Sequence, residues 1–231
     1  MTLTIVHLLP ELLGTYGDRG NVEILSWRLS QRNISHEVLT IGVADEIPQT
    51  ADLYLLGGGE DDAQIAAREI LDRHGVMRKA INRGAHIFAV CAGFQLLGSI
   101  FPASGDREMP GLGILPIETL PGSPRSVGEL LAEPTIPIGT LTGFENHAGQ
   151  TRFLEEAQPL GRVFRGIGNG LGSSEDGIVT YQVTATYMHG PALARNPDLA
   201  DWILERKLGV LDPISAPIFD VLHDERVKAS K

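Results

Sequence analysis

One cysteine, seven histidines and a run of three glycines carry most of the chemistry that can be read from this chain. The cysteine lies in Val90-Cys91-Ala92-Gly93-Phe94-Gln95, where an apolar run gives way to a helical pattern. A sharp strand-to-helix turn of this form holds a nucleophile out at the carboxyl edge of a sheet. Backbone N–H groups and the dipole at a helix N-terminus favour thiolate there. Glycine at 93 lets neighbouring backbone come close. A lone cysteine can instead be a small buried apolar residue. The strand, the turn and the adjoining Gly-x-Gln favour the nucleophile.

Leu56-Gly57-Gly58-Gly59-Glu60-Asp61 follows another strand-like run. Three glycines expose backbone N–H groups, which could stabilise an oxyanion together with the Ala92 N–H. Taken alone, the run is a tight strand-to-helix turn. Candidate bases are His7, His36, His74, His86, His147, His189 and His223. His7 lies within the first strand and reads as core. His74 reads as a solvated helix residue, and His86 opens the strand that leads to Cys91, at its far end. His147 and His189 occupy turn-like settings. Tyr187-Met188-His189-Gly190-Pro191 ends a β-patterned stretch, and a base at a strand end is well placed to face the elbow. His189 therefore leads, with His147 behind it. Asp18 lies in a glycine-punctuated loop after the first strand. In a doubly wound sheet such loops collect at the elbow's edge, so Asp18 could orient a histidine. It could equally cap a turn or helix.

The elements that must position these residues alternate up to residue 100. Strands are expected over 3–9, 38–43, 52–56 and 85–90. Helical patterns follow through Val22, Leu25 and Leu29, over 61–83 with a break at Gly75, and over 92–100. That alternation predicts an α/β fold with a mostly parallel sheet flanked by helices. Beyond residue 110 the chain is strand-rich, with strands expected over 114–120, 138–142 and 178–187. A last helix starts at Asn196-Pro197 and offers Leu199, Trp202 and Ile203 as its apolar face. Residues 212–231 read as a polar, proline-punctuated tail. No low-complexity linker interrupts the chain, so one domain is expected.

Composition narrows the function classes. The 231 residues carry 19 Lys+Arg against 29 Asp+Glu, a formal charge of −10, which disfavours a nucleic-acid partner. At 42% hydrophobic and 21% charged the chain reads as globular. A single cysteine excludes an intrachain disulfide and a cysteine-rich zinc site, and fits a reducing compartment. The N-terminal residues lack a basic region and do not read as a signal peptide. The longest apolar stretch is split by polar residues and glycines, so a soluble cytoplasmic protein is expected.

Cys91-Ala92-Gly93-Phe94-Gln95-Leu96-Leu97-Gly98, the triple glycine and Met188-His189-Gly190-Pro191 together resemble class I glutamine amidotransferases of the cobyric-acid-synthase branch. The fold implied is flavodoxin-like. Pro191 stands where other class I enzymes carry a glutamate two residues after the histidine. Tyr16-Gly17-Asp18-Arg19-Gly20-Asn21 is similar to the GatD-type glutaminase subunits of lipid II isoglutaminyl synthases. The resemblance covers residues 3–208, which implies an amidotransferase domain over 1–208 and a tail over 209–231. It implies that Cys91 attacks the glutamine side-chain amide, His189 moves protons and Asp18 takes the third triad place; should Asp18→Asn leave the rate unaltered, Glu145 is the first candidate to replace it. It assigns oxyanion donation to Gly58 and Ala92, and contact with bound glutamine to Gly58, Gln95 and Arg125. A guanidinium at Arg125 would grip the substrate carboxylate in bidentate fashion. Ala89 departs from the glycine that many class I enzymes have two residues before the cysteine.

No metal or organic cofactor is implied on this chain. The chain has no phosphate-binding loop of the Walker type, so ATP and Mg are expected on a Mur-ligase-like partner (MurT), in a heterodimer. That partner would amidate the D-glutamate α-carboxylate of the lipid II stem peptide, a step in peptidoglycan synthesis. Two other readings remain open at this point: an amidotransferase subunit for another acceptor such as a corrinoid carboxylate, and a non-catalytic binding module in which Cys91 is structural.

Overall fold

The computed structural model describes residues 2–104, 107–170 and 172–230, leaving aside the side chain of Asp61. The first half alternates as its periodicity demands: β1 (Leu3–Leu8), α1 (Arg19–Gln31), β2 (His36–Ile41), β3 (Leu53–Leu56), α2 (Asp61–Asp72), α3 (Val76–Asn82), β4 (His86–Val90) and α4 (Ala92–Leu97). A short 3-10 turn at Arg73–Gly75 separates α2 from α3, at the break expected near Gly75. The second half comprises β5 (Ile100–Ala103), β6 (Arg107–Pro110), β7 (Ile117–Pro134), β8 (Leu141–Phe153), β9 (Gly161–Arg165), β10 (Glu175–Asp176), β11 (Ile178–Val179) and β12 (Val183–Thr186). It closes with α5 (Ala192–Arg195), α6 (Pro197–Leu208) and α7 (Pro217–Ala229).

The central sheet has six strands in the order β11-β12-β4-β3-β1-β2. Only β11 runs antiparallel to its neighbour. β1, β3, β4 and β12 are almost wholly buried, as parallel strands covered on both faces must be. β2 alternates half-buried and exposed residues, which suits an edge. Because β1, β3, β4 and β12 are parallel, the loops after them open at one edge. These loops carry Asp18, Gly57–Gly59, Cys91 and His189.

A second sheet, β10-β9-β7-β8, is antiparallel. Its long β7–β8 ribbon replaces the short strands expected over 114–120 and 138–142, and it puts His147 in mid-strand rather than in a turn. Proline and glycine along the ribbon are absorbed by a register shift between Pro121 and Ser126. The expected strand over 178–187 is instead the hairpin β11–β12.

The segment expected as a tail contains α7. Phe219, Leu222, His223 and Val227 fall on one half-buried face. The Phe219 ring meets Trp27 edge-on at 5.2 Å. Of the prolines that punctuate this segment, Pro217 sits at the first helical position, where its missing N–H costs nothing.

Candidate active site

Cys91 follows β4 directly and adopts φ 50°, ψ −105°. A non-glycine residue in such a conformation persists only where its surroundings enforce it. Here the Cys91 N–H bonds Thr186 O at 2.9 Å and the Gly93 N–H bonds Gly57 O at 3.0 Å. A Cβ on Gly93 would lie 2.6 Å from Leu56 Cβ, so glycine is what lets α4 start against the end of β3. The thiol is 6% exposed. It opens onto a cleft of about 130 Å³ whose wall includes Tyr16, Gly59, Gln64, Gln95, Arg125 and His147.

His189 follows β12 and is fully buried. Its Nδ1 lies 3.1 Å from both Asp18 carboxylate oxygens. Its Nε2 is buried with no hydrogen-bond partner among the described residues. Burial alone would lower the His189 pKa. The Asp18 hydrogen bond and the neighbouring Cys91 overcome that and push it up to about 10. Asp18 precedes α1 but makes no side-chain cap bond to it, so its carboxylate is left for the histidine. The Tyr16 ring packs against the imidazole at 4.9 Å.

The triple glycine behaves differently from expectation at one position. The Gly58 N–H donates to Asp18 Oδ2 at 2.7 Å, so it is spent on the carboxylate and does not serve an oxyanion in this arrangement. The Gly59 and Ala92 N–H groups have no acceptor among the described residues, and Gly59 lines the cleft with Cys91. Gly58 still has to be glycine, because a Cβ there would stand 2.6 Å from His189 Cε1.

Arg125 stands at the cleft mouth on β7. Its Nε and Nη2 donate to Asn146 Oδ1 and Asn146 O at 2.5 and 3.1 Å, which leaves Nη1 free among the described residues. Gln95 is buried one helical turn beyond Cys91, with its Nε2 3.2 Å from Tyr187 Oη. His147 also lines the cleft, but it faces Glu145 at 3.4 Å and stacks on Tyr187 at 3.8 Å. The Glu145 carboxylate accepts the Ile167 and Gly168 N–H groups at 2.8 and 2.9 Å, so it belongs with His147 and not with His189. The other histidines lie elsewhere. His7 is buried in β1, and burial lowers its pKa. His86 pairs with Thr184 at 2.9 Å, and burial, aided by Arg206, pushes its pKa down to about 3.

The model of the CobB/CobQ-like glutamine amidotransferase domain matches residues 4–197. The chain belongs to this family. It is 34% identical over 206 residues to the lipid II isoglutaminyl synthase (glutamine-hydrolyzing) subunit GatD of Staphylococcus aureus strain N315, covering 88% of this chain and 84% of that protein. It is 31% identical over 231 residues to the GatD of Streptococcus pneumoniae R6, covering 96% and 88%. Among solved structures, a glutamine amidotransferase superposes with a TM-score of 0.58 at 23% identity, over 89% of this chain and 99% of that one. That likeness supports the amidotransferase fold seen here.

In this amidotransferase chain two contributors gave no chemical signal in the sequence. Asp176, fully buried, accepts the Thr186 hydroxyl and the Tyr187 N–H and so fixes the strand end before His189; burial pushes its pKa up to about 6. Gln64, on the inner side of α2, reaches Gln95. A polar residue on an amphipathic helix looks the same whether it faces solvent or a cleft. Only the Gly59 and Gln95 contacts mark this one out.

Proposed function

We propose that this chain is the glutamine-hydrolysing subunit of a lipid II isoglutaminyl synthase, in the cytoplasm, passing ammonia to a Mur-ligase-like partner. The observation that carries the hydrolytic part is the buried Asp18–His189 pair, whose free Nε2 shares the elbow's edge with Cys91. The acceptor is supported by the two GatD relatives, matched over most of their own length. In this reading ATP and Mg act on the partner, and this chain works without a metal or organic cofactor.

The reaction is acyl transfer through a thioester. His189 Nε2 takes the Cys91 thiol proton and the sulfur attacks the substrate carboxamide carbon; a C–S bond forms and the carbonyl π pair moves onto oxygen. Gly59 and Ala92 N–H groups are the donors available to that oxyanion. The carbonyl re-forms, the C–N bond breaks, and His189 gives its proton to the leaving nitrogen, releasing ammonia. Water then attacks the thioester, His189 takes its proton, and the C–S bond breaks to give glutamate and free enzyme. Asp18 holds the imidazole in one orientation throughout. Arg125 offers a guanidinium to the substrate α-carboxylate at the mouth.

Glutamate release from L-glutamine, measured on the chain co-purified with its native companions, tests the reading. Turnover that Cys91→Ser abolishes, with a Mur-ligase-like protein in the complex, is the expected result. An electrophilic glutamine analogue that leaves Cys91 unlabelled in that complex overturns the hydrolytic part. A companion of another enzyme class overturns the acceptor.

A further inference from the structure

Gln64 has no part in the thioester chemistry just described. It is 4% exposed and lines the cleft beside Gly59 and Gln95. Its Nε2 lies 3.2 Å from Gln95 Oε1 and 3.5 Å from Gly59 O. Both neighbours are acceptors, so the amide orientation is fixed with nitrogen towards them. The same chain continues through Gln95 Nε2 to Tyr187 Oη at 3.2 Å, then to Thr151 Oγ1 at 2.6 Å and Thr119 Oγ1 at 2.7 Å. Gln64 Oε1 is left buried without a hydrogen-bond partner among the described residues. A buried carbonyl oxygen left unpaired costs about 1–3 kcal/mol, so its retention at a cleft wall calls for a donor that arrives with a ligand.

The position identifies which donor. Gln95 stands one helical turn, about 5.4 Å, beyond Cys91, and Gln64 is clasped to it. An extended glutamine places its α-nitrogen about 5 Å from its carboxamide carbon, since four single bonds separate them. With the carboxamide carbon at Cys91, the α-ammonium falls at the depth of the Gln64–Gln95 pair. Arg125 is the cationic side chain on the cleft wall and suits the α-carboxylate. An α-ammonium needs acceptors. The side-chain oxygens of Gln95 and Asn146 on that wall already accept from Gln64 and Arg125, and the Glu60 carboxylate is exposed to solvent, so Gln64 Oε1 is the buried side-chain acceptor left open.

We infer that Gln64 is a specificity-determining residue whose carboxamide oxygen accepts a hydrogen bond from the α-ammonium of bound glutamine. The inference deepens the glutaminase reading above and rests on it. It gives the site a means of selecting an α-amino acid over any other primary amide with a terminal carboxylate.

The test compares L-glutamine with glutaramate, which keeps the carboxamide and the carboxylate but lacks the α-ammonium. The KM for glutamine and the inhibition constant of glutaramate are measured on the co-purified complex, for the natural chain and for Gln64→Met, which keeps length and removes the acceptor. Loss of one hydrogen bond to a charged group should raise the KM for glutamine about tenfold to hundredfold, with kcat within about threefold. Glutaramate inhibition should stay within about twofold, because its missing group is the one Gln64 would meet. Gln64→Glu retains an acceptor and should keep the preference for glutamine. Equal weakening of both ligands in Gln64→Met, or no change in either, overturns the inference. If Gln64→Met does not fold, Gln64→Ala, which also removes the acceptor, takes its place under the same outcomes. Absence of glutamine hydrolysis by the natural complex would instead sink the glutaminase reading.

Discussion

Replacing Asp18 by asparagine changes one atom and tests the geometry of the site closely. Asp18 Oδ2 accepts the Gly58 N–H at 2.7 Å, and both carboxylate oxygens lie 3.1 Å from His189 Nδ1. The Gly58 N–H can meet only an acceptor, so the asparagine must turn its oxygen there and its NH₂ towards the imidazole. The imidazole then has to accept at Nδ1 and carry its proton on Nε2, which leaves nothing to accept a proton on the side of Cys91. General acid–base catalysis contributes about 10²–10⁴-fold, so kcat should fall by that factor, about 3–5 kcal/mol of barrier. KM should stay within about threefold, since Asp18 is outside the cleft wall. The pH profile should move as well. Asp18 and Cys91 hold the His189 pKa at about 10 against burial, so losing the carboxylate lets burial pull it down and shifts the alkaline limb to lower pH. Steady-state glutamate release between pH 6 and 10 reads both effects. A kcat within about threefold of the natural enzyme, with an unmoved alkaline limb, would refute the tautomer argument.

Gly58→Ala sets a methyl 2.6 Å from His189 Cε1; a 1 Å displacement of a catalytic group costs about 10²-fold, so kcat should drop by that order, and near-natural turnover would show that the ring can yield. Alanine to glycine normally destabilises a protein by about 0.5–1 kcal/mol, but at φ 50°, ψ −105° the order should reverse, with Cys91→Gly melting above Cys91→Ala; calorimetry showing the ordinary order would mean the elbow is unstrained. His86 is buried neutral with a pKa lowered to about 3, so the unfolded state binds its proton first as pH falls. Stability should then decline by up to about 1.4 kcal/mol per pH unit from about 6.5 down to about 3, and His86→Gln should remove that part of the slope in urea titrations; identical slopes would contradict it.

What the sequence made legible was local. The elbow at Cys91 and the glycine run could be read because their chemistry lies within a few residues of one strand end. The alternation up to residue 100 could be read because its buried parallel strands are mostly apolar. The pairing of Asp18 with His189 joins positions 171 residues apart; sheet topology brought Asp18 to the edge where a histidine could meet it, and the resemblance named His189 as that histidine. Commitment of the Gly58 N–H to Asp18 left no trace in the sequence, since a backbone donor has no letter of its own. The β7–β8 ribbon was obscured by Pro121, Gly122, Pro124 and Gly149, which read as turns but sit at a register shift or against close neighbours. Helix α7 was missed because its apolar residues alternate with charges and follow a proline-rich run.

His189 and Phe144 exchange both backbone hydrogen bonds, at 2.8 and 3.1 Å, in a two-residue bridge between the sheets. Phe144 belongs to β8, two residues before Asn146, which holds Arg125. The proposed proton carrier and the proposed carboxylate anchor are thereby stitched to a single ribbon, much as two tools share one handle. A graft or crosslink that tilts this ribbon would disturb turnover and affinity together, so an engineer who wants to alter one alone should work from the opposite wall, on α2.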